Sequence, residues 1–189
     1  HHMSDFKEKF NDSSNIILSS AGLVYKYHGK EAIKNILISW KKNDLTSDDI
    51  IDLLFNKIYE RLIKFIDGVD NGIEEAFDSQ GEVFYPIYKD GTGYDSRISR
   101  LNPNKLKKSD SSSQFRKALK IAEEEFIILL TELVFEYFPN YSIIKKAYYD
   151  RFNFDKSGNL MYLEEDIFFK DIIFDIEEEE SKLSKNEDV

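Results

Sequence analysis

Apolar residues recur along this chain mainly at three- and four-residue spacing, the period of helices with one buried face. Ser19 and Ser20 are candidate N-caps for a helix carrying Leu23, Val24 and Tyr27. Gly29 allows a break before Ala32, Ile33, Ile36, Leu37 and Trp40 resume the stripe, which predicts two short helices or one kinked helix. Ser47 is placed to accept a bond from a free helix N–H, and Asp48 and Asp49 would sit on the positive end of the dipole. The helix they begin carries Ile51, Leu54, Phe55, Ile58, Leu62, Phe65 and Ile66 on one predicted face, and should end between Gly68 and Gly72.

From residue 76 to about 94 the period vanishes, and Gly81, Pro86, Gly91 and Gly93 punctuate a loop rich in Tyr and Phe. A loop of that length points to a role. A helical turn is predicted over 96–101, ended by Asn102-Pro103 because the residue before proline disfavours helix. A serine-rich linker over 109–113 then caps the longest predicted helix, 113–138. Its stripe of Phe115, Ala118, Leu119, Ala122, Phe126, Leu129, Leu130, Leu133 and Tyr137, widened by Ile121, Ile128 and Phe135, implies burial on more than one side. Pro139 is expected to stop it, and 143–152 reads as a further helix. Alternation of Phe152 and Phe154 with Leu160 and Tyr162 about Asp155-Lys156-Ser157-Gly158 predicts a small β-hairpin. The fold class expected is α+β, mainly α-helical, without internal repeats.

Charge adds detail. The 189 residues carry Lys+Arg 26 and Asp+Glu 36, a net charge of −10. Much of the excess lies at 171–189, where eight acids and two lysines read as a solvated, disordered tail. The opposite balance holds over 97–120, where Arg97, Arg100, Lys105, Lys107, Lys108, Arg116, Lys117 and Lys120 stand against Asp110 alone. A basic island in an acidic chain suits an anionic ligand, although a lysine-rich surface loop has the same composition. With no Cys there is no disulfide framework, thiolate metal site or cysteine nucleophile. The longest apolar run, at 126–130, is far short of the ~18 residues a membrane span needs, so no membrane partner is expected. His1-His2-Met3 reads as the scar of a purification tag.

Few side chains offer chemistry. Asp67 and Asp70, at a helix end with Asn71-Gly72, could hold Mg²⁺ or Mn²⁺ through hard oxygen ligands, although Asn-Gly is equally an ordinary helix C-cap. Residues 153–164 imitate a calcium loop, with Gly158 at position six and Glu164 at twelve, but Asn153 opens it and the aromatic alternation favours the hairpin. His28 is the one histidine outside the tag-like start, so no Ser-His-Asp set can be assembled, and no glycine-rich phosphate loop occurs.

Three stretches in order carry a resemblance. They are Leu18-Ser19-Ser20-Ala21-Gly22-Leu23-Val24-Tyr25 with Gly29, then Phe65-Ile66-Asp67-Gly68-Val69-Asp70-Asn71-Gly72-Ile73, then Ser96-Arg97-Ile98-Ser99-Arg100-Leu101-Asn102-Pro103. Together they resemble the central part of the melanocyte-proliferating-gene (Myg) family. Phe115, Ala118, Glu125-Phe126, Ala147 and Asp155-x-Ser157-Gly158 continue the match, so it covers about residues 18–175.

The resemblance implies a fragment of a DHH-type phosphoesterase, in a family described as metal-dependent 3′–5′ RNA exonucleases. Residues 1–75 would then be the C-terminal helical part of a DHH-like domain, 76–112 a loop and basic linker, 113–175 a helical segment with the hairpin, and 176–189 the acidic tail. In the family the His/Asp and Asp-His-His-Gln motifs lie upstream of the Ser-Ser-Ala-Gly helix, and residues 6–11 resemble the segment that follows them. The piece alone is therefore expected to be inactive. Asp70, followed by Asn71-Gly72, resembles the superfamily's fourth metal motif, with Asp67 second. Arg97 and Arg100 would clamp single-stranded RNA, Tyr94 would stack a base, and Asn71 and Asn102 would line the substrate path. The further partners implied are the missing N- and C-terminal parts of the same protein or, through an uncovered apolar patch, a second copy. The family's intracellular sites are the mitochondrion and nucleus. The rival from another class is a non-catalytic helical module docking a partner through its Phe- and Tyr-rich surface.

Overall fold

The structure, a computed structural model, describes residues 7–73, 91–102 and 110–187. It divides into two compact units, 1–127 and 128–189.

In the first unit, α1 (Ser20–Ser39) is one uninterrupted helix capped by Ser19, whose hydroxyl accepts from the Gly22 N–H at 3.2 Å. Gly29 does not break it. An added Cβ at Gly29 would lie 2.7 Å from the Tyr25 ring and 2.9 Å from the Phe55 ring, so the glycine is there to let α2 come close. The buried face of α1 is accordingly Gly22, Tyr25, Gly29, Ile33 and Leu37, while Val24 and Tyr27 point outward. A 3₁₀ turn, Asn43–Leu45, leads to α2 (Asp48–Ile58), whose N-cap is Ser47, although the Ser47 side chain makes no capping bond.

The helix continues through a π segment, Tyr59–Ile63, into α3 (Lys64–Asp70). The inserted residue rotates the buried face. The predicted stripe holds through Ile51, Leu54, Phe55 and Ile58, after which Tyr59, Ile63, Asp67 and Gly68 are buried in place of Leu62, Phe65 and Ile66. Phe10 locks the turn from the N-terminal side, stacking on Tyr59 with centroids 3.5 Å apart. The incoming chain is tied down by the Lys9–Ile17 bridge and by the Leu18 N–H, which donates to Glu8 O at 2.8 Å. Beyond residues 74–90, which lie outside the described residues with most of the expected aromatic loop, α4 (Tyr94–Ser99) follows. The Asp110 carboxylate then caps α5 (Ser111–Glu132), accepting from the Ser113 N–H at 3.0 Å.

Leu130, Leu133, Val134, Tyr137, Ile144, Ile172 and Ile176 form the core of the second unit. Here α5 does not stop at Pro139. It passes through a π segment, Leu133–Tyr137, into α6 (Phe138–Phe154). The Phe138 N–H donates five residues back, to Leu133 O, and this wider turn accommodates the missing proline N–H and the bulk of its ring. The last helix, α7 (Lys170–Glu187), packs on α6. Ile172 and Ile176 are buried, so residues at the start of the acidic run are helical and packed rather than a solvated tail. Tyr137 of the π segment donates to Asp175 at 2.8 Å and Tyr141 of α6 to Glu179 at 2.6 Å, which gives two acids of α7 partners.

The expected β-hairpin is not formed. Phe152 and Phe154 belong to α6, and no strand occurs over 155–169. The turn itself is formed: Gly158 has φ +70°, and the Asp155 carboxylate accepts from the Asn159 N–H at 3.1 Å. What fails is the ladder, because Phe154, Leu160 and Tyr162 are exposed and an isolated two-stranded ribbon is marginal in water. Among the described residues the fold is mainly helical with an isolated bridge, not α+β. No helix among them is long and apolar enough to cross a membrane.

Candidate functional site

The π turn in α2–α3 divides the polar residues of the Asp67–Gly72 motif between two faces. Asp67 turns inward and is fully buried. Its Oδ1 accepts the Ser19 N–H at 2.9 Å and the Ser19 hydroxyl at 2.6 Å. The carboxylate lies against Gly22, where an added Cβ would be 2.3 Å from Oδ1. Its Oδ2 and the Tyr59 hydroxyl are buried without a partner in hydrogen-bond geometry. Burial pushes the Asp67 carboxyl above the ordinary carboxylate range, against the pull of the Ser19 donors and the neighbouring Tyr59 hydroxyl. Asn71 turns the same way, its amide donating to Ile17 O and to Asp67 O, both at 2.7 Å.

Asp70 faces the other way. It lies on the rim of a cleft of about 530 Å³ whose apolar walls include Leu62, Phe65 and Ile66, the predicted stripe residues that the π turn moved out of the core, together with Val69. Tyr94 and Ile98 of α4 supply the facing wall, with Asp95, Ser99 and Glu125 among its polar groups. The cleft therefore brings together Asp70 and Tyr94 of the predicted residues. Burial, together with the Glu125 carboxylate, pushes the Tyr94 phenol upward, so it enters the cleft as a neutral ring with a polar tip.

The predicted cations are next to the cleft and already engaged. Arg97 pairs with Glu125, and Arg100 donates to Ser96 O at 3.1 Å and to Gly91 O. Asn102 is exposed, and its N–H donates to Ser99 O at 3.1 Å. Lys105, Lys107 and Lys108 lie outside the described residues. Sequence reasoning missed Glu125 as the partner of Arg97 and Ser19 as the partner of Asp67. A signal for the second existed in Gly22, a glycine inside the first turn of a helix with no turn to make.

Among the described residues no three His, Cys, Asp or Glu side chains converge as a metal cage. With Asp67 committed to Ser19, Asp70 is the one member of the predicted ligand pair facing the cleft. These residues do not fit a divalent-metal centre by themselves.

The fold and site define a helical domain whose apolar cleft is rimmed by carboxylates and one tyrosine. The chain matches the MYG1_exonuc family model, described as Uncharacterised protein family (UPF0160), over residues 1–187, and it belongs to that family. It is 35% identical over 182 residues to the MYG1 protein of Dictyostelium discoideum, covering 95% of this chain and 52% of that protein. It is 32% identical over 147 residues to the MYG1 exonuclease of Mus musculus, covering 77% of this chain and 36% of that protein. With the MYG1 exonuclease of Homo sapiens the identity is 30% over 169 residues, covering 86% of this chain and 42% of that protein. The chain thus spans about half, or less, of the length of these relatives. No solved structure matches it.

Proposed function

We propose that the chain is a central piece of a DHH-type, metal-dependent RNA exonuclease that removes nucleotides in the 3′–5′ direction, and that it is inactive alone. The observation that carries this reading is the position of Asp70, on the rim of an apolar cleft that also holds Tyr94, in a chain whose mouse and human relatives are named exonucleases. Asp70 would contribute one carboxylate to a Mn²⁺ or Mg²⁺ centre whose other ligands come from upstream motifs. Tyr94 offers a ring to an unstacked base, and Leu62, Phe65 and Ile98 exclude water around it. Arg97 and Arg100 sit beside that cleft, where phosphates of a single strand would pass.

The test is Mn²⁺-dependent release of nucleotides from a 3′-labelled single-stranded RNA. The chain extended upstream through an Asp-His-His motif should cleave, whereas the chain alone and the extended Asp70→Asn variant should not. Cleavage by the Asp70→Asn form would remove this site assignment.

A second reading has its own observation. Phe115 and Leu119 on α5 and Phe168, Phe169 and Phe174 around α7 are large apolar residues left about half exposed or more. Faces of this kind suit a non-catalytic module that docks a partner protein. Absence of cleavage by every form of the extended chain would favour it.

A further inference from the structure

Asp67 and Asn71 lie one helical turn apart, at the end of α3 and at its C-cap, and both reach the extended segment that enters α1. Asp67 accepts the Ser19 N–H and Asn71 donates to the Ile17 carbonyl. Residues two apart in an extended chain present their backbone groups on the same side, so these two side chains stand where a neighbouring strand would supply its ladder partners. The opposite side of the same segment is used by Leu18, whose N–H donates to Glu8 O. Gly22 leaves the space that the carboxylate fills. Asp70, between the two in sequence, lines the cleft.

We infer that Asp67 and Asn71 are positioning residues, a two-point clamp that fixes α3 to the entry of α1, and that Asp70 alone of the motif is presented for chemistry. The inference builds on the nuclease reading for what Asp70 does, but the clamp stands on geometry. A carboxylate whose oxygen already takes two short bonds from one serine, on a closed and glycine-lined side, is not offered to a ligand in the cleft. The clamp also sets where the chain preceding Ser19 runs relative to Asp70, so its loss would displace Asp70 from whatever the preceding segment carries.

Urea unfolding of the chain, followed by helical circular dichroism, tests the clamp in Asp67→Ala, Asp67→Asn, Ser19→Ala and the double variant Ser19→Ala/Asp67→Ala. Asp67→Ala should lower the midpoint by about 1 M. Asp67→Asn, whose amide oxygen still accepts from Ser19, should recover much of that loss. The double variant should lose less than the sum of the two single losses, because the Ser19–Asp67 bond is counted in both, while the bond from the Gly22 N–H to the Ser19 hydroxyl is lost only with Ser19. An unchanged or raised midpoint in Asp67→Ala, or additive single effects, would overturn the clamp. In the upstream-extended chain, Asp67→Asn should restore RNA cleavage lost in Asp67→Ala through kcat at constant KM, while Asp70→Asn stays inactive. An Asp67→Asn form that folds at the parent midpoint yet is as inactive as Asp70→Asn would make Asp67 a ligand and overturn the inference. Absence of cleavage in every extended form would remove the nuclease reading, and the unfolding data would then decide the clamp.

Discussion

Tyr25 holds Phe55 at two points: its ring stacks on the Phe55 ring with centroids 4.8 Å apart, and its buried hydroxyl donates to the Phe55 carbonyl at 2.9 Å. The same carbonyl accepts the Tyr59 N–H, so the tyrosine bonds a helix carbonyl that is already satisfied, one turn before the π segment. Tyr25→Phe should keep the stack and lose only the second bond, which costs about 1 kcal/mol because a helix partner remains. The melting temperature of the first unit should then fall by about 2–4 °C.

Two buried phenols make the fold sensitive to alkali. Burial raises Tyr25 above the ordinary phenol range and pushes Tyr59 to about 12. A group whose folded pKa is raised contributes stability that is fully present below its unfolded value, near 10 for tyrosine, and is lost as pH climbs through the folded value. Stability should therefore hold to about pH 10 and decline above it. Phenolate absorbance from these residues should appear together with loss of helical circular dichroism. Tyr59→Phe should shift that loss to higher pH.

Gly29 and Gly68 should answer the same substitution with opposite signs. An alanine at Gly29 would drive its Cβ into the rings of Tyr25 and Phe55, and overpacking of this kind costs about 1–3 kcal/mol. At Gly68, inside α3, an added Cβ meets nothing within 4 Å. Gly68→Ala should stabilise by about 0.5–1 kcal/mol through the lower backbone entropy of the unfolded chain. Paired denaturation curves check both, and equal effects at the two sites would contradict the packing described.

The contrast between these glycines also shows what the sequence could and could not say. Hydrophobic spacing located α2 and its first buried turns, and capping chemistry located Ser19, Ser47 as a cap position, and the Gly158 turn. Spacing alone makes Gly29 a possible break, because a glycine within a stripe carries no sign of the ring 26 residues away that needs its space; Phe55 supplies that reason only once α1 and α2 are packed. The period likewise cannot register a π turn. One inserted residue at Tyr59–Ile63 exchanged Leu62 and Phe65 for Ile63 and Asp67 on the buried face, and so created both the clamp and the wall of the cleft. The wide face of α5 promised burial on more than one side, yet within the helix only Leu130 is fully enclosed. The aromatic alternation near Gly158 predicted strands where α6 continues through Phe154. For the site, Asp70 and Tyr94 were legible as residue types, whereas the partners of Asp67 and Arg97 depend on contacts across 48 and 28 positions.

On the proposed nuclease reading, the pairing of Arg97 with Glu125 sets an expectation for RNA binding. If RNA phosphates pass beside the cleft, they must compete with Glu125 for the guanidinium, and the exposed pair itself is worth little in water. Arg97→Ala should weaken binding of single-stranded RNA to a similar degree across sequences. The slope of log affinity against log salt should become shallower by about 0.7, the value for one phosphate contact on a single strand. Glu125→Gln should act in the opposite sense, releasing Arg97 and removing a negative charge from the rim, so affinity rises and the slope steepens. Fluorescence anisotropy of a labelled oligonucleotide over a salt series measures both. Slopes unchanged in the two variants would place the RNA path away from α4.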